Sequence, residues 1–222
     1  MSPSRQRKYF AYPVAVACVV TMLLVSCSGS KKHAATSSTV PSTNAQGKPV
    51  SLAFPLGSLT VQSSGTLVPF SRTVASSIRD LINKYVAAGI TKPLFTGSSA
   101  TGMSAYFAPS LASRVGPKGR DFRALSDQSV PVITIVTSVV KSPLALTGLE
   151  DKGRLVMVGA QFVLKIKGTT AQGPLAIRRI GNFVFEPNAH KQWRITGYNI
   201  VVTRDDTQTS TTQHATTTTA KS

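Results

Sequence analysis

The chain has 222 residues, with 25 Lys or Arg against 8 Asp or Glu and a formal net charge of +17. So large an excess of cations attracts polyanions. The sequence carries no RNA-binding pattern of interleaved aromatics, which excludes nucleic acid as the expected partner. Its two cysteines, Cys18 and Cys27, both lie near the start, so the rest of the chain has no thiol for a disulfide, a thiolate metal site or a nucleophile.

Taken in chain order, Arg5, Arg7 and Lys8 come first, followed by an uncharged apolar run from Tyr9 to Ser26 that ends in Leu24-Val25-Ser26-Cys27. A basic region, an apolar region and small residues before a cut make up an export signal. With a cysteine directly after the small residues, the segment resembles a bacterial lipoprotein signal. That resemblance implies cleavage before Cys27, lipid on Cys27, and a membrane-held protein on the extracytoplasmic side of the cell membrane. The alternative is an uncleaved spanning helix, for which a run of about 18 residues is near the lower limit. Either way the flanking cations keep the start of the chain in the cytoplasm and put the remainder outside.

Residues 27–48 are rich in Ser, Thr and Ala and read as a flexible tether. Lys31 and Lys32 beside the lipid site are placed to meet anionic headgroups. Residues 207–222 are mostly Thr and read as a disordered tail. The domain is expected at 49–206, long enough for one core.

Within that domain, Ser71 is positioned to cap a helix. Val74, Ile78, Leu81, Ile82 and Tyr85 recur at helical spacing and mark its buried stripe. Asp80 and Lys84 form an i,i+4 pair on the other side, and Gly89 reads as the stop. Short helical pieces follow at Pro93-Leu94-Phe95 and between Met103 and Val115, the latter broken by Gly116-Pro117-Lys118-Gly119. The character then changes to β-branched alternation over 130–141, 154–167, 175–186 and 192–204. Gly181 reads as a bulge in the third of these strands, and Arg178-Arg179 interrupts its alternation. The expectation is an α+β domain, with an N-terminal helix and short helices packed in a curved antiparallel sheet of about four long strands.

This order of elements resembles the nuclear-transport-factor-two-like fold, a cone-shaped sheet closed over a helix. The ending Trp193-Arg194-Ile195-Thr196-Gly197-Tyr198-Asn199-Ile200-Val201-Val202 is similar to the last strand of small exported actinobacterial members, the Mce-associated proteins among them. The same holds for Tyr106-Phe107-Ala108-Pro109-Ser110-Leu111 followed by Arg120 and Asp127. The resemblance implies a pocket in the cone, catalytic in SnoaL-type and ketosteroid-isomerase-type members and structural in many others.

Catalysis of that kind needs a carboxylate or imidazole tuned by burial. His33 falls in the tether, His190 in a turn and His214 in the tail. Asp127, ahead of the first long strand, and Asp80 are the weak candidates for a base. Asp121 is read as ion-paired with Arg120 and Arg123. There is no Gly-x-Ser-x-Gly elbow, no phosphate loop and no metal-ligand spacing; neither metal nor cofactor is expected. The pocket candidates are aromatic: Tyr85, Tyr106, Phe107, Phe162, Phe183 and Trp193. An apolar lining suits a hydrophobic ligand. The leading expectation is a non-catalytic lipid-anchored envelope protein that binds a partner protein or an apolar ligand. The alternatives are an isomerase-like enzyme with an Asp base, and a basic module for anionic lipid or wall polymers.

Overall fold

A computed structural model describes residues 43–44, 50–63, 69–206 and 210–217. Cys27, the apolar run before it and Lys31 and Lys32 lie outside the described residues. The α+β class holds. The sheet is larger than four strands and is not antiparallel throughout. Among the described residues it has eight strands: β1 (Thr43–Asn44), β2 (Leu56–Ser63), β3 (Ile133–Lys141), β4 (Leu144–Asp151), β5 (Arg154–Thr170), β6 (Gly173–Pro187), β7 (Trp193–Asp206) and β8 (Ser210–Thr216). β1 and β2 precede the helix, so the helix does not open the fold. They join in parallel, β1 on β3 and β2 on β4, while every other pairing is antiparallel.

The length of β5 organises the sheet. Its 17 residues pair with β6 along one edge, and on the other edge with β4 over the first half and β3 over the second. Strict alternation explains its burial: Val158, Ala160, Phe162, Leu164 and Ile166 face the core because successive side chains point to opposite faces. The β4–β5 connection is tight, with Lys152 at φ 50° and Gly153 at φ 77°. This is the left-handed pair that a two-residue hairpin loop requires.

Residues 210–216, expected in a disordered tail, form β8 against β7. Likewise Thr43 and Asn44, expected in the tether, pair with Ile135 and Val136. In both places a polar chain gains ladder hydrogen bonds from an existing strand edge. That gain is independent of the apolar content by which such segments are read from sequence.

The helix α1 (Arg72–Val86) is capped by Ser71, whose hydroxyl accepts the Val74 N–H. It buries Ala75, Ile78, Ile82, Tyr85 and Val86 against the sheet. Gly89 does not end the helical run. The chain continues through a wide π turn (Ala87–Thr91) into α2 (Lys92–Thr96) and stops at Gly97, at φ 67°. Gly89 is needed for close approach: a Cβ there would sit 2.8 Å from Met103 Sδ. Pro93 has no N–H to give the Gly89 carbonyl four residues back, and that carbonyl accepts the Asp127 N–H at 2.9 Å. Two 3₁₀ turns, Thr101–Tyr106 and Pro109–Leu111, lead to α3 (Ala112–Val115) and α4 (Phe122–Leu125).

Gly181 is not a bulge, since the register from Phe162 through Gly181 to Ile200 is unbroken. Its missing side chain makes room for Ile200, whose Cδ1 would lie 2.1 Å from a Cβ. The bulge falls at Thr196, where the β6–β7 register slips between Val184 and Phe185. One extra residue shifts the alternation by one, so Ile195 and Tyr198, which simple alternation puts on opposite faces, are both buried.

Candidate functional site

The predicted pocket aromatics separate into two groups. Tyr85, Phe107, Phe162 and Phe183 pack on one another inside the sheet. Tyr85 meets Phe183 edge-on at 5.0 Å and Phe107 at 5.8 Å, and Phe162 stacks on Phe183 at 5.4 Å. Phe185 and Tyr198 extend the cluster. Interlocked edge-on rings of this kind are close packing, and they fill the space that a pocket would occupy. Tyr106 and Trp193 are only partly buried and line surface grooves, and Phe107, though buried, also borders one of about 430 Å³ with Pro109, Asn188 and Arg194.

One groove, of about 550 Å³, lies between the entrance to α1, the β4–β5 hairpin and the β6–β7 turn. Val61, Pro69, Val74, Leu155, Val156 and Trp193 supply its apolar wall, and Glu150, Arg154 and Lys191 its charged groups. Each is placed by a local device. Ser71 fixes the first turn of α1. Glu150 accepts the Gly153 N–H and holds the hairpin tip. Asn188 Oδ1 accepts the N–H groups of His190 and Gln192 and shapes the turn before Trp193. Val156, 37% exposed, leaves apolar surface open to an occupant.

The acids have other surroundings. Asp80 pairs with Arg79 at 2.9 Å rather than with Lys84, and is exposed. It lines a smaller groove, of about 380 Å³, with Tyr106 and Trp193. Asp121 is bound by Arg114 at 2.6 Å and more loosely by Arg120 at 3.8 Å, not by Arg123. It also accepts the Tyr198 hydroxyl at 2.7 Å.

Asp127 is fully buried beside Arg179, which is also fully buried. Its Oδ1 accepts from Arg179 Nη2 at 3.1 Å and from Arg204 Nη2 at 2.7 Å. Arg179 also donates to the Ala124 carbonyl, and Arg204 to the carbonyls of Arg123 and Ser126, each at 2.9 Å. Two guanidiniums thus tie the 121–127 segment to β6 and β7. Asp127 lines none of the grooves described here, and its carboxylate acts as a clamp. Asp127 stands out in the sequence as an acid ahead of the first long strand, and Arg204 does not. Arg179 was legible in principle, because it continues the inward series Leu175, Ile177.

Above this clamp, the Tyr85 hydroxyl donates to the Leu125 carbonyl at 2.7 Å. Burial raises the Tyr85 phenol to about 12, with Asp127 adding to the shift and Arg179 and Arg204 opposing it. Burial and the hydrogen bond to Asp121 hold Tyr198 above the ordinary phenol range as well. An unfolded tyrosine ionises near 10, so the stability from these protonated phenols is complete below about pH 10 and declines as pH rises past it. Tyr85→Phe should therefore make the alkaline loss shallower. At neutral pH it should cost about 1–3 kcal/mol, for a buried carbonyl left unpaired. Urea unfolding at pH 7 and pH 11 reads both effects; a Tyr85→Phe protein with the wild-type pH profile would contradict the assignment.

Among the described residues, no cluster of three or more His, Cys, Asp or Glu could hold a metal ion, and no helix is long and apolar enough to cross a membrane. Fold and site together define an α+β domain with an aromatic-filled interior, a buried two-arginine clamp and an open apolar groove beside its tryptophan. No family model, curated protein or solved structure matches the chain.

Proposed function

We propose that the chain is a non-catalytic, lipid-anchored envelope protein of the nuclear-transport-factor-two-like kind. Its Trp193 groove receives an apolar segment of a partner protein or a lipid-like chain at the outer face of the cytoplasmic membrane. The Leu24-Val25-Ser26-Cys27 pattern supports the anchor, and a helix held in a curved sheet supports the fold kinship. The groove carries the binding reading. It is an open, mostly apolar concavity of about 550 Å³ on a domain whose interior is filled by aromatic rings, and apolar concavities with few polar groups are where hydrophobic ligands bind. The placement of both candidate bases supports a non-catalytic role: Asp80 is exposed beside Arg79, and Asp127 is held by two arginines.

Trp193 is the chain's single tryptophan, so its fluorescence reports on the groove directly. Titration with decanoate, and separately with a Leu/Val-rich peptide, should move its emission to shorter wavelength as water leaves the ring. Val156→Asp puts a charge into the groove without touching the core and should weaken that response at least about tenfold. The peptide arm tests the partner version and the decanoate arm the lipid version. Emission indifferent to both, or a Val156→Asp response equal to wild type, would sink the reading.

A further inference from the structure

A second groove, of about 490 Å³, is formed by residues 117–120 and by α4 with the segment after it. Its lining includes Lys118, Arg120, Phe122, Arg123, Ser126 and Ser129, and contains no acid. The acids nearest in sequence are already taken. Asp121 holds Arg114 and the Tyr198 hydroxyl, with Arg120 only at 3.8 Å. Asp127 faces Arg179 and Arg204. Three cations therefore converge on one concavity with little local compensation. Positive charge gathered at a concavity focuses the field and concentrates anions.

A second observation points the same way. Ser126 lines the groove while only 1% exposed, and its hydroxyl has no hydrogen-bond partner. A buried hydroxyl without a partner carries a desolvation cost that an incoming acceptor would relieve. The backbone is also fixed in place. The Gly119 N–H closes the turn onto the Gly116 carbonyl at 2.7 Å, and a Cβ on Gly119 would lie 2.1 Å from the Arg114 carbonyl oxygen. The absence of a side chain at Gly119 thus sets how Lys118 and Arg120 are presented.

We infer that the groove of Lys118, Arg120, Arg123 and Ser126 is a binding site for a phosphate group. Arginine presents a planar fork of donors matched to phosphate oxygens, lysine adds a point charge, and a serine hydroxyl adds one further donor. The same chemistry is offered by a free phosphate or phosphomonoester and by the phosphodiester of a lipid headgroup. The site is separate from the Trp193 groove and stands whether or not that groove binds an apolar ligand.

Titration calorimetry on the full chain in neutral detergent, at matched ionic strength, separates the two sources by comparing inorganic phosphate with glycerophosphoglycerol. Saturable binding of either probe is expected, and which one binds names the source. Arg123→Gln should weaken binding at least about tenfold, as loss of a charge-assisted hydrogen bond does. Ser126→Ala should weaken binding without lowering the unfolding temperature of the ligand-free protein, since it deletes a hydroxyl that pairs with nothing. Ligand should raise the wild-type unfolding temperature by mass action, and this rise should vanish in the Arg120→Gln/Arg123→Gln double variant. Absence of saturable binding for both probes, or an unchanged affinity in the double variant, would overturn the assignment.

Discussion

Asp127→Ala should lower the unfolding free energy by about 3–5 kcal/mol, the usual cost of removing one partner from a buried ion pair. A domain of this size has about 5–15 kcal/mol in total, so the loss is a large share of the whole. The reason lies in what remains behind. Arg179 is wholly buried, donates to Ala124, and has an Nε with no partner even in the intact protein. Without the carboxylate, its charge sits in the core beside a second guanidinium. Arg204 is less confined, with a side chain 11% exposed, and can turn toward water. The costs should therefore be unequal. Arg204→Met leaves the Asp127–Arg179 pair intact and should cost less than Asp127→Ala. Asp127→Leu/Arg179→Met removes both buried charges and should be more stable than Asp127→Leu alone, because ion pairs replaced by apolar side chains are often neutral in effect. Urea unfolding with the slope held constant measures all four variants. An Asp127→Ala protein within about 1 kcal/mol of wild type would show that the clamp does not hold the 121–127 segment.

The parts of this fold that were legible from sequence are those set by local periodicity. The stripe from Val74 to Tyr85 marks α1, and the alternation through Phe162, Leu164 and Ile166 marks β5, because each pattern records one buried face of one element. What escaped was set by partners distant in sequence. β4 is an alternating Leu144, Leu146, Gly148 series whose leucines lack β-branching, and β2 carries Gly57, Ser58 and Ser63. Gly89 reads as a helix stop because the reason for it, Met103 Sδ, belongs to another element. The tail strand β8 reads as polar low complexity because its stabilisation comes from the edge of β7. The bulge at Thr196 lies beside Gly197, a glycine that reads as an ordinary member of the last strand. The candidate site divides along the same line. Trp193 was singled out by residue type and does line a groove, whereas Tyr85, Phe162 and Phe183, chosen on the same grounds, are core. Asp127 was visible as an acid near the first long strand. Its two arginines come from β6 and β7, a juxtaposition that only the sheet register creates.

Cys27→Ser should abolish acylation altogether. Cells fed an alkynyl fatty acid should yield a labelled wild-type chain whose N-terminus is Cys27 and whose mass includes acyl chains. Each buried CH₂ contributes about 0.8 kcal/mol of membrane affinity, and one chain alone gives only reversible binding; a diacyl group would therefore make retention insensitive to salt. Attachment through Lys31 and Lys32 alone would instead fade as ionic strength rises and the Debye length falls to about 3 Å at 1 M. Cys18→Ser is the matched control, since Cys18 lies inside the apolar run and should be removed with it, leaving labelling intact. The competing reading, an uncleaved spanning segment from Tyr9 to Ser26, gives a different readout: a chain that keeps Arg5, Arg7 and Lys8, takes no label, and resists salt equally well. Mass spectrometry of the N-terminal peptide separates the two readings. An unlabelled peptide that still begins ahead of Arg5 would end the lipid-anchor assignment and, with it, the placement of the Trp193 groove at a lipidated surface.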